Sequence, residues 1–296
     1  MTRRPASRRP RKLEDPARDH AQRAPKGPST RDRLKSAHVS GRSVRFGRDE
    51  VIGIMRRLVD GDARVRMGMP PYGDLTLGDV ESAVASVYGW KGDGPRARIA
   101  PGRTVDAFLV ARERVIEVAR GGGTLAFATG RPASLLSVYR GLATVADDAG
   151  GTVLEHAESG LIGPGGHRIW WIDRVAVLTD HESLLGDQGT DAADELLFTL
   201  PRPDLMIADR SFAAVSLAHG IEVVAFADLD ALVLAVAAWR GLAARVVPID
   251  ERRPPSAYAP LLELLREPPE VALDLGLAAL PIVESPDSCE AEPEAS

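Results

Sequence analysis

One cysteine, Cys289, stands in 296 residues. It lies in a polar C-terminal stretch, so no disulfide framework and no cysteine-based zinc site can be built within one chain. No apolar run approaches the roughly 18–20 residues that cross a bilayer, so no membrane partner is expected. The basic N-terminus is followed by no apolar segment of the kind a secretory signal needs, and a cytoplasmic location is the simplest expectation. Lysine is nearly absent after Lys35, with Lys91 standing alone, so a lysine phosphate clamp is excluded in practice. There is no GxxxxGK[ST] loop, no GxSxG elbow, no HExxH and no GxGxxG after a strand pattern. The histidines, at 20, 38, 156, 167, 181 and 219, form no ligand spacing. His181 follows Asp180 and reads as a solvated loop histidine, with a general-acid role as the alternative.

What is present is an ordinary globular composition, 44% hydrophobic and 27% charged. The net charge of −5 conceals an asymmetry. Residues 1–48 hold 15 Lys/Arg against 4 Asp/Glu, and the remainder holds 22 against 38. Residues 1–45 are rich in Arg, Pro, Ser and Ala and poor in large apolar residues, so a disordered basic arm is expected there. Arg3-Arg4 and Arg8–Lys12 suit weak nonspecific contact with nucleic acid, and a solubilising tail is the plainer reading. A single α/β domain is expected over 46–268, and 269–296 reads as an acidic tail.

The first part of that domain, 50–120, shows helical spacing. Val51, Ile54, Met55 and Leu58 share one side of a short helix. Val80, Ala83, Val84 and Val87 follow Thr76, a fair N-cap, and Val105–Ala119 follows Thr104 in the same way. From residue 121 the rhythm changes. Short continuous apolar runs (124–128, 152–154, 175–178, 205–208, 223–227 and 245–247) alternate with helical runs. Unbroken apolar strands between helices indicate a mostly parallel, doubly wound, Rossmann-like sheet covered on both faces. Ile169–Ile172 reads as an antiparallel partner of Val175–Leu178.

In such sheets ligands bind beyond the carboxyl ends of the strands. Those ends carry Thr129-Gly130-Arg131-Pro132, Thr179-Asp180, Asp209-Arg210-Ser211, Asp228-Leu229-Asp230 and Asp250-Glu251-Arg252-Arg253. Four of the five have a carboxylate, and the one without it has a glycine, an arginine and a proline suited to the first turn of a helix. Helix capping accounts for part of this pattern. It does not account for arginine beside carboxylate on one sheet edge. Gathered carboxylates repel unless something positive joins them, and Mg²⁺ or Mn²⁺ with a phosphate ester would serve. The expected site therefore has Thr129, Gly130, Arg131 and Arg210 on phosphate. Asp180, Asp209 and Asp228 are the catalytic candidates, and Asp209, Asp228 and Asp230 the metal ligands. A small phosphorylated metabolite is the expected partner. A non-catalytic domain that binds a phosphorylated or anionic metabolite is the alternative.

Three segments carry a resemblance: FATGRPASLLSVYRGLA, HRIWWIDRVAVLTD and LPRPDLMIADRSFAAVSLAHGIEVVAFADLDALVLAVA. They are similar to a bacterial family of α/β phosphatases, from about Arg96 to Leu265. The resemblance implies phosphate-ester hydrolysis. It also implies histidine rather than arginine at position 131, and an Asp/Asn-rich turn where this chain has Ile249–Arg253. A weaker likeness, to haloacid-dehalogenase-type phosphatases, rests on Val223–Asp230 and Thr129-Gly130-Arg131. There the order of the motifs is reversed, which points to convergent placement.

Overall fold

A computed structural model describes residues 27–155, 167–180, 183–186 and 189–266. The expected acidic tail, most of the basic arm, His181 and Cys289 lie outside the described residues.

Order begins earlier than the composition of the arm implies. Helix α1 spans Thr30–Ser36, opened by a capping box in which Ser29 and Asp32 satisfy each other's backbone N–H groups. Strand β1 spans Gly41–Gly47. The apolar residues of this stretch explain the difference: Leu34 and Val39 are fully buried, and the Val39 carbonyl accepts the Asp250 N–H at 2.8 Å. The disordered-arm boundary at residue 45 is therefore too late. Helices α2 (Arg48–Val59), α3 (Ala63–Arg66) and α4 (Leu77–Tyr88) follow. Strand β2 (Arg96–Ile99) pairs antiparallel with β1 as a separate two-stranded ribbon. Helix α5 (Pro101–Arg120) opens with a proline in its first turn rather than at a Thr104 cap. Thr104 is buried, and its hydroxyl donates to the Pro248 carbonyl at 2.8 Å.

The main sheet then begins. It comprises β3 (Thr124–Thr129), β4 (Thr152–Val153), β5 (Arg168–Ile172), β6 (Val175–Thr179), β7 (Leu184–Leu185), β8 (Leu205–Asp209), β9 (Glu222–Ala227) and β10 (Ala244–Pro248). Its helices are α6 (Pro132–Asp148), α7 (Asp191–Thr199), α8 (Arg210–Ala218), α9 (Leu232–Trp239) and α10 (Ala259–Leu264), with a 3₁₀ turn at Pro255–Tyr258. The order β10-β9-β8-β3-β6-β5 is parallel from β10 to β6, and β5 is antiparallel as the sequence implies. The central strands are buried on both faces, which is why they read as continuous apolar runs. One core packs α2, α4, α8 and α9 on one face, and the other packs α1, α5, α6 and α10 on the opposite face.

The chain goes from β3 outward to β4 and β6 on one side, then returns to place β8 against the other side of β3. The strand order thus reverses between β3 and β8. The α6 and α8 connections leave that junction in opposite directions and open a crevice at its carboxyl edge.

Candidate functional site

The two strand ends at this reversal are joined by one carboxylate. Asp209, fully buried at the end of β8, accepts the Thr129 hydroxyl at 2.5 Å and the Gly130 N–H at 2.7 Å. It also accepts the Tyr139 hydroxyl at 3.1 Å, from the inner face of α6. Thr129 is itself fully buried, and its oxygen accepts the Arg131 N–H at 2.9 Å. Thr129, Gly130 and Asp209 thereby lock the turn. Asp209 occupies an N-cap position but makes no capping bond. Its geometry is that of a buried strap, and it holds Arg131 in place.

Arg210, next in sequence, has φ +50°. A non-glycine residue in the left-handed region is uncommon, and such backbone concentrates at functional sites. The turn aims the guanidinium inward: Nη1 lies 3.2 Å from Asp230 Oδ1 and 3.7 Å from Glu251 Oε2. Arg131 Nε lies 3.7 Å from the same Glu251 oxygen. Arg252 reaches Asp230 at 3.5 Å. From the β1 ribbon, Arg45 binds Asp228 Oδ2 at 2.6 Å and lies 3.7 Å from Asp230. Four arginines from four segments therefore face three carboxylates, Asp228, Asp230 and Glu251.

The carboxylates differ in setting. Asp228 is buried; its Oδ1 accepts the Leu229 N–H at 2.7 Å, and its own N–H donates to Glu251 Oε1 at 3.1 Å. The buried Tyr88 hydroxyl donates to the Asp228 carbonyl at 2.9 Å and fixes the turn from behind. Burial, followed by the charges of Asp230 and Asp250, pushes the Asp228 carboxyl up to about 7, with the Leu229 N–H and Arg45 opposing. Burial also pushes Glu251 well above the ordinary carboxylate range, against the pull of Arg210. Asp230 is the accessible member, its side chain 19% exposed. Neither Asp228 nor Asp230 caps the next helix. That helix starts at Leu232 with Ala231 at its N-cap. Asp250 turns toward Arg253, its Oδ2 accepting two guanidinium N–H groups at 2.8 and 2.6 Å.

Asp180 sits at the end of β6, in a turn of its own. Its carboxylate accepts the Ser183 N–H at 2.8 Å. The structure thus gathers Thr129, Gly130, Arg131, Asp209, Arg210, Asp228 and Asp230 along one edge. It adds Arg45, Glu251, Arg252 and Tyr139, which sequence reasoning did not commit to. The signal for Arg45 was the Ser29-x-x-Asp32 capping box, which marks an ordered element inside an otherwise polar arm. Glu251 and Arg252 stood in the last strand-end turn but had no visible partner.

Among the described residues, no group of three or more His, Cys, Asp or Glu side chains is arranged to hold a metal ion. The carboxylates face guanidinium groups instead. The positive charge beside Asp228, Asp230 and Glu251 comes from the chain itself. Among the described residues, no helix is long and apolar enough to cross a membrane.

The family model described as Phosphatase matches residues 26–268 of this chain. A curated relative, "Phosphatase SCO2771" from Streptomyces coelicolor, is 30% identical over 247 residues, covering 79% of this chain and 92% of the relative. No solved structure matches. The matched span takes in every strand of the sheet and each residue of the arginine–carboxylate edge, from Arg45 to Arg252, and on that ground the chain belongs to the Phosphatase family.

Proposed function

We propose that the β3–β8 edge binds the phosphoryl group of a small phosphate ester and hydrolyses the ester. The observation that carries this reading is the convergence of Arg45, Arg131, Arg210 and Arg252 on three carboxylates, two of which burial disposes to hold a proton. A protonated Glu251 no longer neutralises Arg131. Its guanidinium can then turn to a phosphate, which arginine matches as a bidentate donor, with Arg210 beside it on Asp230. Arg131 Nε is buried without a hydrogen-bond partner, which fits a group waiting for a ligand.

Asp230 and Asp228 have separate tasks. Water attacks phosphorus, and its proton passes to the accessible Asp230. The P–O bond to the alcohol breaks, and the leaving oxygen takes the proton held by Asp228. Exchange with solvent restores both groups. A carboxyl with a pKa near the working pH is suited to proton transfer in this way, an effect typically worth 10²–10⁴-fold. Thr129, Gly130 and Asp209 act by positioning Arg131. The family membership agrees with the chemistry, and the arginines supply the charge that the sequence alone assigned to a metal.

The test is release of inorganic phosphate from a panel of phosphate monoesters, with EDTA, Mg²⁺ or Mn²⁺ in parallel. Turnover lost in both Arg131→Ala and Arg210→Ala is expected. Phosphate-ester binding without turnover in any arm would refute the hydrolytic reading and leave the anion-binding domain. Stimulation by Mg²⁺ would mean that the ion arrives with the substrate phosphate, as metal assistance requires of an edge with no preformed carboxylate cage.

A further inference from the structure

A second group of cations stands away from the edge just described. Lys35, His38, Arg42, Ser43, Val44 and Arg96 line a cavity of about 340 Å³. That volume falls at the lower end of the range of small-molecule pockets, about 300–1,000 Å³. The cavity is built by the last turn of α1, the bend that follows it and the β1–β2 ribbon.

Its cations make no close ion pair among the described residues, although Lys35 is near enough to Asp32 to help lower that carboxyl's pKa. Among the described residues, none of Lys35, His38, Arg42 and Arg96 has a carboxylate within ion-pairing distance. The neighbouring Arg31, Arg33, Arg45 and Arg48 each have one, in Asp106, Glu263, Asp228 and Asp49. The ribbon register even sets Arg42 directly opposite Arg98, a like-charge pair that costs stability in a sheet. Folding alone gives no reason to collect these charges around a concavity. An anionic ligand would relieve their repulsion, as bidentate arginine and point-charge lysine donors can. Val44, 44% exposed, offers an apolar wall beside them. Arg45 goes to Asp228, and Val44 lines this cavity.

We infer that the cavity between α1 and the β1–β2 ribbon is a second anion-binding site, which takes a small phosphate-bearing molecule. Its lining residues are not those of the β3–β8 edge. The two are linked through the strand that carries Arg45 and through the Val39–Asp250 backbone bond.

The probe is inorganic pyrophosphate, titrated calorimetrically into the full chain at low ionic strength. Two equivalents per chain are expected. The variant Lys35→Met/Arg42→Gln keeps the side-chain stems and should weaken one equivalent at least tenfold. Val44→Asp removes no cation and should do the same by charge alone. Arg131→Ala should weaken the other equivalent and leave this one. Binding unchanged in both cavity variants overturns the inference, and so does loss of all binding in Arg131→Ala. If one equivalent is lost in the cavity variants and none in Arg131→Ala, the second site stands and the phosphate reading of the β3–β8 edge fails.

Discussion

Asp228→Asn separates two consequences of burying a carboxyl group. In the folded protein burial and the neighbouring acids hold the Asp228 pKa at about 7, against an ordinary 3.8. Between those two values the folded state keeps a proton that the unfolded chain releases. Stability therefore falls as pH rises through that window, at up to about 1.4 kcal/mol per pH unit for one group. Across the whole window the contribution reaches at most roughly 4 kcal/mol. Asparagine cannot ionise, keeps one carbonyl oxygen for the Leu229 N–H, and loses the charge-assisted bond to Arg45. The variant should thus be less stable than the parent near pH 4 and should recover relative to it as pH approaches 7. Urea melts of both proteins at pH 4, 5, 6, 7 and 8 give the difference directly; titrating groups distant from the edge cancel in it, and Glu251, whose pKa the Asp228 charge helps raise, titrates with Asp228 as a pair. A difference that stays within about 0.5 kcal/mol from pH 5 to 8 would refute the assignment of a raised pKa to this residue. On the proposed mechanism the same variant loses kcat, and the parent's kcat declines above pH 7 as Asp228 gives up its proton. A variant with full turnover would remove Asp228 from the chemistry.

Other substitutions test other parts of the edge. Asp209→Ala would strand the Thr129 hydroxyl, the Gly130 N–H and the Tyr139 hydroxyl without an acceptor. At about 1–3 kcal/mol per buried unsatisfied group, with incomplete additivity, a loss of roughly 3–5 kcal/mol is expected in chemical denaturation. A loss below about 1 kcal/mol would mean that the strap is not structural. Gly186→Ala would set a methyl group 3.1 Å from Arg131 Nη1. It should raise KM several-fold while the denaturation midpoint barely moves, and an unchanged KM would take Arg131 out of substrate binding. Phe198, 87% exposed on α7, should tolerate serine within about 0.5 kcal/mol by the same denaturation assay.

Several features were legible in the chain because they are local. Continuous apolar runs alternating with helical spacing announced a parallel sheet covered on both faces. Ile169–Ile172 was recognisable as the antiparallel strand, which runs over Arg168–Ile172, because the two residues between it and Val175 leave room only for a tight turn. The carboxyl-edge location of Asp209, Asp228 and Arg131 followed from strand direction alone. What misled was also local. Composition hid α1 and β1, because a few buried side chains, Leu34, Val39 and Phe46, suffice to anchor a polar segment once a capping box and a docking surface exist. A proline at 101 and an alanine at 231 set helix starts that the apolar periodicity placed elsewhere.

The sequence by itself determined the sheet, its polarity and the edge on which charge would collect, since each depends on residue spacing and strand direction. Only the tertiary structure decided how those charges pair. Arg45 is 183 residues from Asp228 in the chain and 2.6 Å from it in space. Asp209 binds Thr129 across 80 residues. Strand order in the main sheet fixes the second distance, and the docking of the separate β1–β2 ribbon fixes the first; both are properties of the whole chain that no local window contains. The positive charge the edge required was therefore foreseeable, and its source, arginines brought in from distant elements, was not.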